Sequence, residues 1–415
     1  MIRWLVFLGI CAWHLPVSAQ IYPVPIRGNA LDTARYMESI PQAFSEVPYF
    51  TFGQGIGIHP TDSSFSFNLR FRMQNRAGAL FNDEEISEIE ARVRRLRLRF
   101  DGYVLNPKFS YVIQLSFTRG DMDWENTEFP NIVRDAMFFY RVNDKLQLGF
   151  GQTKLPGNRQ RVNSSGDLQF VDRSIVNAQL NIDRDFGFHL AYTENVFKNF
   201  YAVFRSAITS GEGRNIISTS DGLAYTGRVE LLPLGLFEKF GDYFEGDLIR
   251  EQTPKLSAGF TYSRNDQTLR TGGQIGQALF EPRSMITLST DWLVKYRGFA
   301  LAIEWMYRES DDPVTQNILG DVRYIYTGLG QNYQASYIWP NNYEVALRYS
   351  SMNPTDQISQ FETDIHQYTI GLSKYLKGHR LKLQTDVTYE NRFSPTALLP
   401  AGSFWMWRIQ VEVGI

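Results

Sequence analysis

Four arginines fall in the eight residues Val93 to Phe100, and the last three alternate with apolar neighbours: Arg95-Leu96-Arg97-Leu98-Arg99-Phe100. A second, sparser set, Arg70 and Arg72, alternates with Leu69, Phe71 and Met73. A row of guanidiniums on one face can hold carboxylates, phosphates or other anions through paired N–H donors. Few other residues could do chemistry. Beyond residue 19 the histidines are His59, His189, His366 and His379, and neither a serine nor a carboxylate pair is placed beside any of them to form a nucleophile and base. His189 reads as a residue lining an interior. Gly211-Glu212-Gly213 lacks the strand–helix context of a phosphate loop, and no metal-ligand spacing occurs. The sequence therefore predicts no enzyme, no cofactor and no metal. A formal net charge of −2 gives no reason to expect nucleic acid as a partner.

The elements that must position these arginines are strands, because a side-chain period of two belongs to extended chain. From Ser63 onward such segments of about ten residues recur, the length a tilted strand needs to cross a bilayer. Phe65 to Gln74, the stretch through Arg95 to Leu105, Phe109 to Phe117, Ile286 to Tyr296, Phe299 to Tyr307, Tyr343 to Tyr349, Leu381 to Tyr389 and Trp405 to Ile415 are the clearest. Sixteen can be counted. Their connections alternate. Short ones are Asn106-Pro107, Asn143-Asp144, Asn195 to Asn199, Arg297-Gly298, Pro340-Asn341 and Lys377-Gly378. Long polar ones are 76–90, 119–133, 155–184, 209–222, 265–283, 309–327, 352–365 and 391–403. One connection, 233–254, should be short by this alternation and is not.

The fold class expected is all-β: a transmembrane antiparallel β-barrel of about sixteen strands over 63–415, both ends in the periplasm and long loops outside. Residues 1–19 read as a signal peptide, with Arg3 before a short apolar core and Val17-Ser18-Ala19 at the cut. Residues 20–62 read as a periplasmic N-terminal extension, with one short helix around Thr33 to Ile40. The only cysteine, Cys11, lies in the leader, so the core or closure of a sheet must do the work of disulfides. A mean hydropathy of −0.29 fits strands that are apolar on one face only.

Facing is decided by energy. Each arginine on the lipid side near the midplane costs roughly 2–4 kcal/mol, so reversing the Arg95, Arg97 and Arg99 strand costs roughly 6–12 kcal/mol. These three point into the lumen, as do Arg70 and Arg72. Arg94 has the wrong parity and belongs at a bulge or the outer interface. An inward basic wall focuses its field on small anions. The alternative is that the arginines pair with loop carboxylates and fill the barrel. A barrel this wide needs an inserted loop to narrow it. The connection 155–184 is the longest and carries Phe170, Val171, Ile175, Val176 and Leu180 for packing against a wall.

Several stretches together resemble the phosphate-selective porin O and P family of outer-membrane channels, in its Bacteroidetes-like branch. They are Phe52-Gly53-Gln54-Gly55-Ile56, Arg94 to Tyr103 with Asn106-Pro107, Gly151 to Pro156, Gly166 to Ser174, Thr253 to Leu256, and Lys295 to Phe299. The resemblance spans nearly all of the chain beyond the leader. It implies a homotrimeric porin of the Gram-negative outer membrane, set in lipid and lipopolysaccharide and passing small anionic or polar solutes, phosphate-type anions included. It also implies an inward-folded third loop, with Lys154, Arg159, Arg161 and Arg173 beside Arg95, Arg97 and Arg99 on the anion path. Two departures stand out: the lysine cluster of a phosphate site is missing, and Ile415 replaces the usual terminal Phe. The runner-up readings are a non-conducting barrel that scaffolds a surface or secretion machine, and a barrel enzyme.

Overall fold

The computed structural model describes residues 45–52, 55–60, 62–82, 85–122, 131–216, 221–394 and 401–415. The leader and the helix expected near Thr33 to Ile40 lie outside the described residues. Sixteen antiparallel strands close into one barrel. They are β1 (Phe65–Asn82), β2 (Glu85–Val104), β3 (Phe109–Ser116), β4 (Val133–Arg141), β5 (Leu146–Lys154), β6 (Arg184–Phe197), β7 (Phe200–Thr209) and β8 (Ala224–Leu232), followed by β9 (Lys255–Arg270), β10 (Ala278–Tyr296), β11 (Phe299–Glu309), β12 (Gly328–Ile338), β13 (Tyr343–Pro354), β14 (Asp364–Lys377), β15 (Leu381–Phe393) and β16 (Gly402–Gly414). Each pairs with its sequence neighbours. β16 returns to β1, with Phe404 opposite Asn82 and Gly414 opposite Arg72, so the sixteen-strand ladder closes on itself.

β16 stops at Arg72, which leaves the N-terminal stretch of β1 unpaired on that side. A hairpin of Ser45–Thr51 and Gly55–His59 fills the slot, with Ile56 opposite Leu69 and Ile58 opposite Phe67. The part of the N-terminal extension described here thus continues the wall.

Alternation sorts the side chains. On β11 the outward residues include Phe299 and Trp305, whereas Glu304, Met306 and Arg308 are buried inside. Outward rings meet across strands, as in Phe150–Phe188 at 4.7 Å and Tyr389–Trp405 at 4.9 Å between centroids. Trp405 and Trp407 lie exposed at the start of β16, where amphipathic rings suit a membrane interface. Among the described residues no helix is long and apolar enough to cross a membrane.

Four connections differ from the expectation. The stretches 76–90 and 265–283 are not loops: β1 and β2 run to Asn82 and from Glu85, and β9 and β10 run to Arg270 and from Ala278. These strands continue past the bilayer, where both faces are wet, so the apolar alternation fades although the ladder persists. The turn expected over Asn195 to Asn199 tightens to Lys198-Asn199, since Phe197 already pairs with Phe200. The fourth, 233–254, enters the lumen.

Candidate functional site

The register of β1 against β2 sets Arg70 opposite Arg99, Arg72 opposite Arg97 and Gln74 opposite Arg95, with Asn68 opposite Asp101. The ladder then slips, with Gln74 facing Arg95 but Asn75 facing Val93. Arg94 is the extra residue of this bulge, which resolves its parity. Like charges directly opposite repel, and carboxylates offset this only by being shared. Asp101 accepts from Arg70 at 2.6 Å and from Arg99 at 3.3 Å through the same oxygen. Asp121 takes Arg97 at 2.7 Å and Arg134 at 3.1 Å. Asp172 is ringed by Arg76, Arg94, Arg95 and Arg408.

Asp121 and Asp172 lie in the connections 117–132 and 155–183. Burial alone would raise both carboxyls. The guanidiniums overrule it and hold each well below the usual carboxylate range: Arg134, Arg97 and Arg95 at Asp121, and Arg94, Arg95, Arg76 and Arg408 at Asp172.

The 155–183 connection lies inside the barrel and includes two short helices, α1 (Arg159–Val162) and α2 (Ile175–Leu180). The wall ties it down from many strands. Arg159 donates to Asp291 of β10 at 2.8 Å, to the Asp242 carbonyl at 3.0 Å and to Ser257 of β9 at 2.7 Å. Arg72 donates to Ser164 at 3.0 Å and to Ser165 at 2.7 Å. Lys382 of β15 donates to the Leu168 carbonyl at 2.7 Å, and the Val171 N–H to Asp386 at 2.9 Å. Phe170 lies under the Arg348 guanidinium at 4.4 Å. Val176 and Leu180 of α2 pack with Met306, Tyr326, Met352 and Ile358. Gly166 lies so close to the wall that a Cβ would meet Arg72 Nη1 at 2.5 Å and Glu412 Oε1 at 2.7 Å.

The 233–254 connection comes in from the opposite end. Phe237 packs with Val203, Leu232 and Leu293, which starts the segment inward. Lys295 donates to the carbonyls of Gly241 at 2.6 Å and Phe244 at 2.8 Å. Asp247 accepts from the Gly298 N–H at 2.7 Å. Gly246 has φ +67, and a Cβ there would meet Glu344 Oε1 at 2.6 Å, so glycine favours the close approach of the segment to this wall. The two segments lock at Glu245. Its carboxylate accepts from Gln160 at 2.9 Å, the Gln169 N–H at 2.8 Å and Gln334 of β12 at 3.2 Å, and its N–H donates to the Asp167 carbonyl at 2.9 Å.

The lumen keeps a cavity of about 470 Å³. It is bordered by β1 to β6, Lys295 of β10, the tip of the third loop, the inserted 233–254 segment and the turn after β14. Ten cationic side chains border it (Arg70, Arg72, Arg97, Arg99, Lys154, Arg184, Lys239, Lys295, Lys377 and Arg380) against three acidic ones, Asp135, Asp167 and Asp247.

Arg70, Arg72, Arg97, Arg99 and Lys154 are thus brought together at the cavity. Lys154 also donates to the carbonyls of Val162 and Asn163 at 3.1 and 2.9 Å. Four other sequence candidates lie elsewhere. Arg95 donates to Gln74 at 2.8 Å beside Asp172. Arg159 is sealed against β9 and β10. Arg161 pairs with Asp183, and Arg173 donates to the carbonyls of Gln160 at 2.7 Å and Asn163 at 2.8 Å. Sequence reasoning missed Lys239, Lys377 and Arg380 as cavity residues. The anomalous length of 233–254 was a signal for Lys239; Lys377 and Arg380 sit at a turn of ordinary length that carried none. His189 faces inward at a separate space of about 60 Å³. Among the described residues no His, Cys, Asp and Glu group could hold a metal.

A family model described as phosphate-selective porin O and P matches residues 67–395. Comparison with curated proteins finds no match. Solved structures that share the fold include OmpF of Salmonella typhi in complex with daunomycin, with a TM-score of 0.53 at 10 % identity, covering 86 % of this chain and 100 % of that one. The outer membrane channel DcaP of Acinetobacter baumannii superposes with a TM-score of 0.52 at 12 % identity over 87 % of this chain and 100 % of that one. A loop L8 deletion mutant of OmpT, an outer membrane protein of Vibrio cholerae, gives 0.51 at 10 % identity over 85 % and 100 %.

Proposed function

The chain belongs to the phosphate-selective porin O and P family, and from that premise we propose an anion-leaning porin of the Gram-negative outer membrane. Small hydrophilic solutes diffuse through it without turnover. Residues 1–19 act as its export leader, and three copies assemble in lipid and lipopolysaccharide. One observation carries the anion preference: ten cationic side chains border the lumenal cavity against three acidic ones. In a low-dielectric tube such an excess raises the local concentration of anions even though the whole chain is nearly neutral. The cavity cations, among them Arg70, Arg72, Arg97, Arg99 and Lys154, form the path. Arg95, Arg159, Arg161 and Arg173 hold the third loop in place beside it.

The competing reading is a barrel that conducts nothing and serves as a scaffold. It is favoured by the meeting of two inserted segments at Glu245. Reversal potential in a planar bilayer under a KCl gradient separates the two. The proposal expects chloride to be favoured over potassium. Replacing Arg70 and Arg99 by Gln should then cut that preference about twofold per charge, since a unit charge some 8 Å away in water-like surroundings acts on a passing ion by about 0.5 kcal/mol. Cation preference would refute the anion reading. Absence of any conductance would promote the scaffold. The trimer is checked by the mass of the detergent-solubilised complex.

A further inference from the structure

The cavity is not uniformly polar. The barrel strands bring guanidiniums to it, Arg72 and Arg99 among them, and the turn after β14 adds Arg380. The inserted 233–254 segment also brings Phe244, Leu248 and Ile249, three side chains left only half-buried where they border the space. Next to Phe244, the His379 ring stacks at 5.5 Å between centroids. His379 is 9 % exposed, borders the same cavity, and neither of its ring nitrogens has a hydrogen-bond partner. Two needs therefore remain unmet in one place: apolar surface without cover, and a buried imidazole without a partner.

An inorganic oxyanion would satisfy only part of this. It wants hydrogen bonds on all sides, and oxygen atoms turned toward Phe244, Leu248 and Ile249 would lose water and gain nothing. An anion with an apolar body fits the space as a whole. Its carboxylate or sulfonate meets the guanidiniums, a neutral imidazole can donate one N–H to it, and its ring or alkyl part covers the inserted segment. The volume of about 470 Å³ falls in the usual range for small-molecule sites. From this juxtaposition we infer that the lumenal cavity is a binding site for amphipathic organic anions, carboxylates or sulfonates with an aromatic or aliphatic body, in preference to inorganic phosphate. The inference rests on the anion-channel reading and narrows its solute class.

The test is block of chloride current through the purified full-length protein by benzoate, acetate, inorganic phosphate and benzyl alcohol. Benzoate is expected to block at a concentration at least tenfold below acetate and phosphate, with no block by benzyl alcohol. Replacing Leu248 and Ile249 by Ser should shrink the benzoate advantage over acetate at least threefold. Phosphate blocking as well as benzoate would overturn the site's preference, and acetate matching benzoate would show that the apolar surface plays no part. Failure of the channel reading is visible separately, as cation preference or no conductance. In that event calorimetric titration of the same four probes into the detergent-solubilised protein decides the site: benzoate binding tighter than acetate and phosphate upholds it, and equal or absent binding ends it.

Discussion

The two sides of the lumen use the same residue type for opposite ends. On the side of β7 to β11, Arg228 holds Glu230 at 2.7 Å and Asp291 at 2.6 Å, and Arg159 shares Asp291 at 2.8 Å. Arg205 reaches Glu230 at 3.2 Å and the Tyr243 hydroxyl of the inserted segment. Arg228 and Asp291 are 1 % and 0 % exposed, so these guanidiniums are mortar. On the side of β1 to β6, Asp172 alone is ringed by four guanidiniums, and Arg70 and Arg99, which share Asp101, border the cavity. An arginine's job in this barrel is set by how many carboxylates it is given and by whether water can reach it.

The largest expected effect comes from removing one acid on each side. Asp291→Asn takes from Arg228 one of its two carboxylates and from Arg159 its ion-pair partner, both sealed from water, and breaking a buried pair in this way costs about 3–5 kcal/mol. Asp101→Asn deprives Arg70 and Arg99, but both border the cavity and can be rehydrated, so the cost is about 1 kcal/mol. Heat-unfolding midpoints of the detergent-solubilised barrels should separate the variants clearly. Equal midpoints would erase the distinction between the two sides.

A smaller effect is expected where the sides meet. Glu245→Gln keeps the shape but removes the charge that three N–H groups donate to, and places an amide NH₂ among donors. Trading charge-assisted hydrogen bonds for neutral ones at this junction costs about 2 kcal/mol. The barrel should survive, because its ladder is untouched, while the inserted segments loosen. Single-channel recordings would then show larger open-state noise or more frequent transitions than the parent. A trace indistinguishable from the parent would mean that Lys295, Asp247 and Arg159 suffice to hold the segments.

How much of this could be read in the chain follows the same divide. Alternation reports which face a side chain takes, so the strands and the inward direction of Arg70, Arg72, Arg95, Arg97 and Arg99 were legible. Alternation says nothing about position around the barrel. Arg159 and Lys154 sit five residues apart in the sequence, yet one is sealed against β10 and the other borders the cavity, because the loop crosses the lumen between them. The length of 233–254 marked it as an exception. Its insertion depends on Phe237 finding Leu232 and Leu293, and on the close approach that Gly246 permits, contacts that no local pattern encodes. Polar residues of 76–90 read as loop because a strand beyond the bilayer has no apolar face to announce it.

The smallest expected effect is an absence of change with pH, and it sharpens the contrast because it belongs to the guanidinium-rich side. Asp172 fastens the third loop to Arg76, Arg94, Arg95 and Arg408. Its carboxyl is held well below the ordinary value of about 3.9 in an unfolded chain. A group depressed in the folded state contributes stability that is fully present above its unfolded value and is lost only as pH falls through the folded one. The fastening should therefore be intact from pH 8 down to about pH 4 and begin to yield only in stronger acid. Protease accessibility of the 155–183 segment, followed across that range, should stay flat. Asp172→Asn should expose the segment at every pH, because the amide cannot balance four guanidiniums. A parent protein whose loop became accessible between pH 6 and pH 4 would show that some other, ordinary carboxylate, rather than Asp172, keeps the loop in the lumen.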